Sequence, residues 1–222
     1  MTLSRSLVVC LAAVVTLSIG SFATSARAGT VTYSGTSSLS PYLGASPYTF
    51  PAVNLPKFDD PGQCLTAVCV RLEGQTAGFT GIENFMNFPK VVTVIWGAKF
   101  DLYRPSLSPL LAVTPTTTNS YSLTAYDGIA DYAGTSGITH TGLAASAADS
   151  LCLSLPADLA LFAGPGTISL PCTAANISTH DGANSWSFGV LAAAIINVTY
   201  TYTPCATPAK PMTWGRLKTV YR

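Results

Sequence analysis

The chain alternates apolar and polar residues over several long stretches, and this alternation predicts strands. Residues 65–74 alternate until Gly74, where we expect the strand to end, and residues 92–102 form the longest clear run before the centre of the chain. Because successive side chains of a strand point to opposite faces, each run predicts one buried face. Residues 185–203 alternate nearly without interruption. Since that run exceeds an average strand, we expect a break near Gly189 or within residues 192–194.

A single short segment has the features of a helix. Pro156 is tolerated in a first helical turn and Gly164 can end the helix, so residues 156–162 are predicted as helical. The remaining apolar runs are short, are separated by turn residues, and do not alternate with helices. This pattern predicts an all-β fold, an antiparallel β-sandwich of about 8–10 strands with one short helix near residues 156–162. We expect residues 29–204 to form it as one domain.

Residues 1–28 have the features of a secretory signal peptide. Arg5 supplies a positive charge, residues 7–19 are almost wholly apolar, and the sequence Ala26-Arg27-Ala28 offers small residues for cleavage. The apolar segment is shorter than the roughly 20 residues that a membrane-spanning helix needs. We therefore expect cleavage near Ala28, a mature chain without a transmembrane span, and a secreted or cell-surface location.

The low charge of the chain narrows the classes of function. Only 9% of the residues are charged, against roughly 25% in an ordinary soluble domain. Hydroxyl and amide side chains must therefore supply most of the polar surface, as in many secreted β-proteins. Five of the eleven basic residues and all ten acidic residues lie within residues 29–204, which gives this body a charge near −5. It has no basic stripe, so no nucleic-acid partner is expected.

Export allows the cysteines to form disulfides. Five cysteines follow the cleavage site, and the odd number leaves at least one unpaired or bonded to another chain. Cys64 and Cys69 would face opposite sides of one continuous strand, so a bond between them requires a turn or bulge. Cys152 and Cys172 flank a strand–loop–strand unit and could meet. These four are the disulfide candidates, with their connectivity open and one bond or none expected. Their spacing matches no zinc site.

Four segments have a more specific character. They are residues 55–59 (Leu-Pro-Lys-Phe-Asp) with the following 65–74, residues 126–137 (Tyr-Asp-Gly-Ile-Ala-Asp-Tyr-Ala-Gly-Thr-Ser-Gly), residues 158–168 and residues 197–204. In this order they resemble segments of the choice-of-anchor E domain. That resemblance implies an exported bacterial surface domain with no established catalytic residues. Such domains are usually followed by a C-terminal sorting signal, most often of the PEP-CTERM type. Residues 205–222 form a basic tail without an apolar span, and we expect no recognisable membrane anchor there.

Residues 125–137 are the first place to look for a site, since two aspartates, two tyrosines and three glycines fall together there. Asp127 and Asp131 are candidate calcium ligands, because calcium prefers carboxylate and carbonyl oxygens. The alternative is a purely structural turn, in which each aspartate bonds local backbone amides. Tyr126 and Tyr132 are candidate ligand-contacting rings. No cofactor other than calcium is expected.

The sequence gives no support for catalysis. The two histidines, His140 and His180, have no Gly-x-Ser-x-Gly motif to act with, and nothing in the sequence pairs two carboxylates as glycoside hydrolysis requires. We therefore expect a non-enzymatic protein of the cell surface or extracellular matrix, with extracellular polysaccharide or other surface proteins as partners. The alternative is a carbohydrate-binding β-sandwich, although Trp96, Trp186, Tyr200 and Tyr202 are expected to face the core. A hydrolase with an unrecognised site comes third.

Overall fold

The computed structural model describes residues 28–44 and 46–205. Antiparallel pairing joins every named strand to its neighbours in this part of the chain. In chain order the elements are β1 (Gly29–Thr36), β2 (Tyr48–Thr49), β3 (Val53–Pro56), β4 (Gln63–Glu83), β5 (Lys90–Tyr103), β6 (Pro109–Val113), β7 (Thr116–Leu123), β8 (Gly137–Leu153), α1 (Pro156–Phe162), β9 (Thr167–Leu170), β10 (Cys172–Asn176), β11 (Thr179–Asp181) and β12 (Ser185–Pro204).

The strands form two facing sheets and a small third pair. One sheet has the order β1-β12-β4-β8. The other is built on β5, which pairs with β10 and β11 along one edge and with β6 and β7 along the other, with β2 beyond β10. Strands β3 and β9 pair separately. The predicted all-β antiparallel sandwich with one short helix at residues 156–162 is confirmed.

The core lies between the inner faces of β4, β5 and β12, as the alternation predicts. The central parts of these faces are fully buried and consist mainly of branched aliphatic and aromatic side chains. Trp186, Phe188 and Tyr202, towards the ends of β12, are only partly buried against this core. Since a well-packed interior is the main stabilising contribution in such a domain, these three long strands define the fold. Their buried residues include Val68, Val70 and Leu72 from β4, Val94, Trp96 and Phe100 from β5, and Ile196, Val198 and Tyr200 from β12.

Gly74 does not end its strand, so that expectation is wrong. Strand β4 continues to Glu83 and pairs with β12 and β8 on either side of Gly74. A Cβ atom on Gly74 would lie 2.6 Å from the ring of Phe100 on the facing sheet. The glycine therefore makes room for an aromatic ring across the core. Close approach of another group is a reason for glycine within a strand that differs from ending the strand.

The expected break in residues 185–203 is also wrong, because β12 runs uninterrupted from Ser185 to Pro204. Strand β4 is long enough to pair with it throughout, with one register shift between Thr201 and Tyr202. Gly189, the expected break point, instead makes room for the ring of Phe79 on β4. Beyond β1, three backbone amides continue the hydrogen bonding on the other edge of β12 at 2.8 Å each, namely Ser37, Ser40 and Leu43.

The disulfides differ from those weighed from sequence. Cys64 bonds to Cys205 and Cys69 bonds to Cys152, so there are two bonds instead of one or none. Cys69 and Cys152 are directly opposite in the register of β4 and β8. Cys64 lies opposite Thr203 at the end of β12, which places Cys205 beside it.

Cys172 was a wrong disulfide candidate. Its side chain lies on the inner face of β10, is 1% exposed, and forms no disulfide. Burial raises the pKa of its thiol to about 12, so the thiolate that disulfide exchange requires is disfavoured there.

The predicted signal peptide and basic tail lie almost entirely outside the described residues, and both stay predictions. In the described part of the chain, no helix is long and apolar enough to cross a membrane. The helix α1 packs Phe162 into the core, and its Asp158 pairs with Arg104 at 3.2 Å.

Candidate functional site

Glu83 organises the stretch of residues 125–137. Its carboxylate is fully buried at the end of β4. One oxygen accepts a hydrogen bond from the backbone N–H of Tyr132 at 2.8 Å, and the other accepts from the hydroxyl of Ser136 at 2.6 Å. No lysine or arginine among the residues described forms an ion pair with it. A buried carboxylate needs hydrogen-bond donors, and here the donors are the Tyr132 N–H and the Ser136 hydroxyl. These two bonds hold the 125–137 stretch against the end of the sheet.

Asn84, the next residue, is also fully buried and extends this network. Its amide nitrogen donates to the carbonyl oxygens of Phe88 at 2.9 Å and Thr124 at 2.7 Å, and its amide oxygen accepts from the backbone N–H of Met86 at 3.0 Å. The Asn84 side chain therefore fixes residues 84–89 to Thr124, the residue directly before the 125–137 stretch.

Asp127 and Asp131 both form local turns. Oδ1 of Asp127 accepts from the N–H of Ile129 at 3.0 Å, and Oδ1 of Asp131 accepts from the N–H of Ala133 at 2.9 Å. This is the bond to an amide two residues ahead that makes aspartate a turn former, and in Asp127 it holds the pKa of the carboxyl below its usual value. Within residues 28–44 and 46–205, no three histidine, cysteine or acidic side chains are grouped to hold a metal ion.

Tyr126 and Tyr132 have different surroundings. Tyr132 has a left-handed backbone with φ of 56°, its ring packs over Gly81, and its hydroxyl is 2.8 Å from that of Ser185. Both the ring and the hydroxyl of Tyr132 are therefore engaged in contacts within the protein. Tyr126 is 37% exposed and contacts Phe85 edge-on, with ring centroids 5.1 Å apart.

The two histidines contact aromatic side chains. Nδ1 of His140 lies 2.6 Å from the hydroxyl of Tyr121, and the ring of His180 packs edge-on against Trp186 at 4.7 Å. Burial raises the pKa of Tyr121. In the described chain neither histidine is hydrogen-bonded to a serine or a carboxylate, as a hydrolytic triad would require.

A cavity of about 340 Å³ opens at the other end of the sandwich, beside the edge strand β1. We call it the β1 cavity. Leu65, which pairs with Tyr202 of this cavity, is about 60 Å from Glu83 along β4, at roughly 3.3 Å per residue. The β1 cavity has the inner face of strands β1 and β12 on one side and residues 57–60 on the other. Its lining residues are Val31, Tyr33, Lys57, Phe58, Asp59, Asp60 and Tyr202.

The aromatic wall of the β1 cavity is fixed by ring contacts. Tyr202 stacks on Phe58 with centroids 5.1 Å apart, and Tyr33 meets Tyr200 edge-on at 5.9 Å. Tyr200 itself is fully buried and donates a hydrogen bond to the carbonyl oxygen of Pro56 at 2.7 Å. Burial raises the pKa of Tyr200 to about 12. The rings that line the cavity therefore have defined positions without a ligand.

The charged rim of the β1 cavity is carried on a segment held at both ends. The backbone N–H groups of Lys57 and Phe58 donate to carbonyl oxygens of the α1–β9 region at 3.0 and 2.8 Å. On the other side, Cys205 N–H donates to the Gly62 carbonyl at 2.9 Å, next to the Cys64–Cys205 bond. Among the described residues, the side chains of Lys57, Asp59 and Asp60 form no hydrogen bond or ion pair with one another or with a neighbour.

A second cavity of about 410 Å³ is larger but chemically plainer. It lies along the pairing of β4 and β8 and is lined by small and uncharged residues, namely Gln75, Thr76, Ala144, Ala145 and Ser146. Since it has neither an aromatic ring nor a charged group, it offers less for recognition than the β1 cavity does.

The sequence did not point to the β1 cavity. Tyr202 was expected in the core, and the cavity combines residues from three separated segments. The one available signal was the run Lys57-Phe-Asp-Asp60, where charges follow a proline-rich stretch.

The chain matches no protein-family model and no curated protein. Among solved structures it is similar to chains of infectious bursal disease virus particles. With the Gx strain the identity is 12% and the TM-score 0.27, covering 82% of this chain and 38% of the viral one. With the Gt strain the identity is 13% and the TM-score 0.25, covering 86% of this chain and 46% of the viral one. The chain thus spans less than half the length of these viral chains, and a likeness this weak carries no functional argument.

Proposed function

We propose that this protein is an exported, non-enzymatic domain of the cell surface or extracellular matrix, related to the choice-of-anchor E domains. The observation that carries the proposal is the pair of disulfides. Cys64–Cys205 and Cys69–Cys152 close 141 and 83 residues of chain. Such bonds persist in oxidising compartments and are rare in the cytosol, which supports the export expected from the signal peptide.

The test is expression of the full chain in a bacterial host, followed by fractionation and intact-mass measurement. We expect a product starting near Gly29 in the surface or medium fraction, with one alkylatable thiol after denaturation, that of Cys172. A chain lacking residues 2–28 is the matched control and should stay in the cytosol with reduced cysteines. Retention of the full chain in the cytosol with all its thiols free would refute export.

A second candidate function is carbohydrate binding. It is favoured by one observation, the convergence of aromatic rings and unpaired charged side chains in the β1 cavity. Incubation of the purified protein with insoluble cellulose, chitin and xylan, followed by sedimentation, tests it directly. Depletion of the protein from the supernatant supports binding. Its complete recovery with all three polymers counts against it.

A further inference from the structure

We propose that the β1 cavity binds one neutral pyranose unit of a polysaccharide. The inference rests on the second candidate function, carbohydrate binding, and assigns it a site. Tyr33 and Tyr202 form the aromatic wall, and Lys57, Asp59 and Asp60 form the rim. Tyrosine combines an apolar ring with a polar hydroxyl, so it can cover the C–H face of a sugar while bonding one of its hydroxyls.

The charges at the rim indicate a neutral ligand with many hydroxyls. Each sugar hydroxyl can donate and accept a hydrogen bond, and the rim offers both a cationic donor, Lys57, and two anionic acceptors, Asp59 and Asp60. An anionic ligand would meet two like charges, whereas a cationic ligand would meet Lys57. A neutral ligand with many hydroxyls can bond all three groups without meeting a like charge.

The cavity is small and its walls are in place before binding. Its volume of about 340 Å³ is at the low end of the roughly 300–1,000 Å³ usual for small-molecule sites, which suits a single sugar ring. The bonds at Lys57, Phe58 and Cys205 hold the rim segment in place. Because the rim side chains have no partner among the described residues, a ligand can bond them without breaking contacts within the protein.

The experiment is saturation-transfer NMR on the mature protein, followed by calorimetry of the probes that bind. The neutral probes are methyl glucoside, methyl galactoside, methyl mannoside and cellobiose, and the charged probes are glucuronate and glucosamine. We expect transfer to at least one neutral probe and weaker or no transfer to the charged ones. An Asp59→Asn/Asp60→Asn double variant should weaken neutral binding about tenfold, since the amide oxygens still accept but hydrogen bonds to charged groups are roughly twice as strong as neutral ones.

Two matched variants keep the result interpretable. Phe88→Ala removes an exposed ring at the far end of the sandwich and should leave binding unchanged. Tyr33→Phe retains the ring that covers the sugar and should lose only the hydrogen bonds between the Tyr33 hydroxyl and the sugar. Neutral binding that survives the double variant would overturn this site while leaving carbohydrate binding intact. Transfer to a charged probe alone would overturn the ligand class. No transfer to any probe would overturn the inference, whereas export would still be decided by the fractionation above.

Discussion

Replacing Glu83 by alanine should destabilise the protein more than replacing any exposed acidic residue. The change removes both acceptors of the loop, leaving the Tyr132 N–H and the Ser136 hydroxyl without a carboxylate partner. Each unsatisfied buried donor costs about 1–3 kcal/mol, so the two together predict a loss of about 2–6 kcal/mol. For a chain of this size, about 2–4 °C of Tm corresponds to each kcal/mol, and we expect Tm to fall by roughly 5–20 °C.

Glu83→Gln separates the role of the hydrogen bonds from that of the charge. The amide oxygen can still accept from Tyr132, and the amide nitrogen can donate to Ser136, whose hydroxyl both donates and accepts. Both contacts are thereby retained in weaker form. We expect this variant to lose about 1 kcal/mol, and so to lie much closer to the wild type than Glu83→Ala does.

Thermal unfolding followed by near-ultraviolet circular dichroism measures both variants, and amide hydrogen exchange at Tyr132 reports on the loop itself. We expect faster exchange of the Tyr132 amide in Glu83→Ala than in Glu83→Gln. Equal Tm values for the two variants, or a loss below about 1 kcal/mol in Glu83→Ala, would refute the view that this carboxylate holds the loop in place.

Three further results are expected. Calcium at about 5 mM, which suffices for sites of extracellular affinity, should not shift Tm, and neither should excess EDTA. The reason is that Asp127 and Asp131 already bond backbone amides of their own turns. Gly74→Ala should cost about 1–3 kcal/mol by overpacking against Phe100, as measured by chemical denaturation. Stability should decline between about pH 10 and about pH 12 in part through Tyr200, whose pKa is raised to about 12, because the unfolded chain releases that proton first.

Each of these has a control. Gly44→Ala adds a Cβ that meets no atom of the described residues within 4 Å, and it should be nearly neutral where Gly74→Ala is not. Tyr200→Phe should show a smaller decline across the alkaline range, although it starts from a lower stability because the bond to the Pro56 carbonyl is lost. A rise in Tm with calcium that Asp127→Asn abolishes would instead support the calcium site.

The sequence predicted faces better than it predicted lengths. Alternation identified the buried sides of β4, β5 and β12, since the period of two is a local property of each strand. It failed at Gly74 and Gly189, because the reason for each glycine is a ring from a distant part of the chain. The prediction of the disulfides also failed because it depends on distant residues. The partner of Cys69 is set by the register between β4 and β8.

The candidate sites divide in the same way. The turn interpretation of Asp127 and Asp131 was available from the sequence because both partner amides are two residues away. Glu83 was missed, since its partners Tyr132 and Ser136 are 49 and 53 residues distant. The β1 cavity requires the pairing of β1 with β12 before its rings can be recognised as neighbours.

The bond between Cys64 and Cys205 also sets how the domain bears mechanical load. Gly29 lies opposite Tyr202, so the described chain starts and finishes at the same end of the sandwich, and a pull on both ends would unzip β1 from β12 one rung at a time. Tension that arrives through residue 205 instead passes covalently to Cys64 at the start of β4. That strand is paired along both edges, so the end of β12 cannot be peeled away from β4 while the bond is intact. Reduction of this one bond would let the same pull separate β12 from β4 as well.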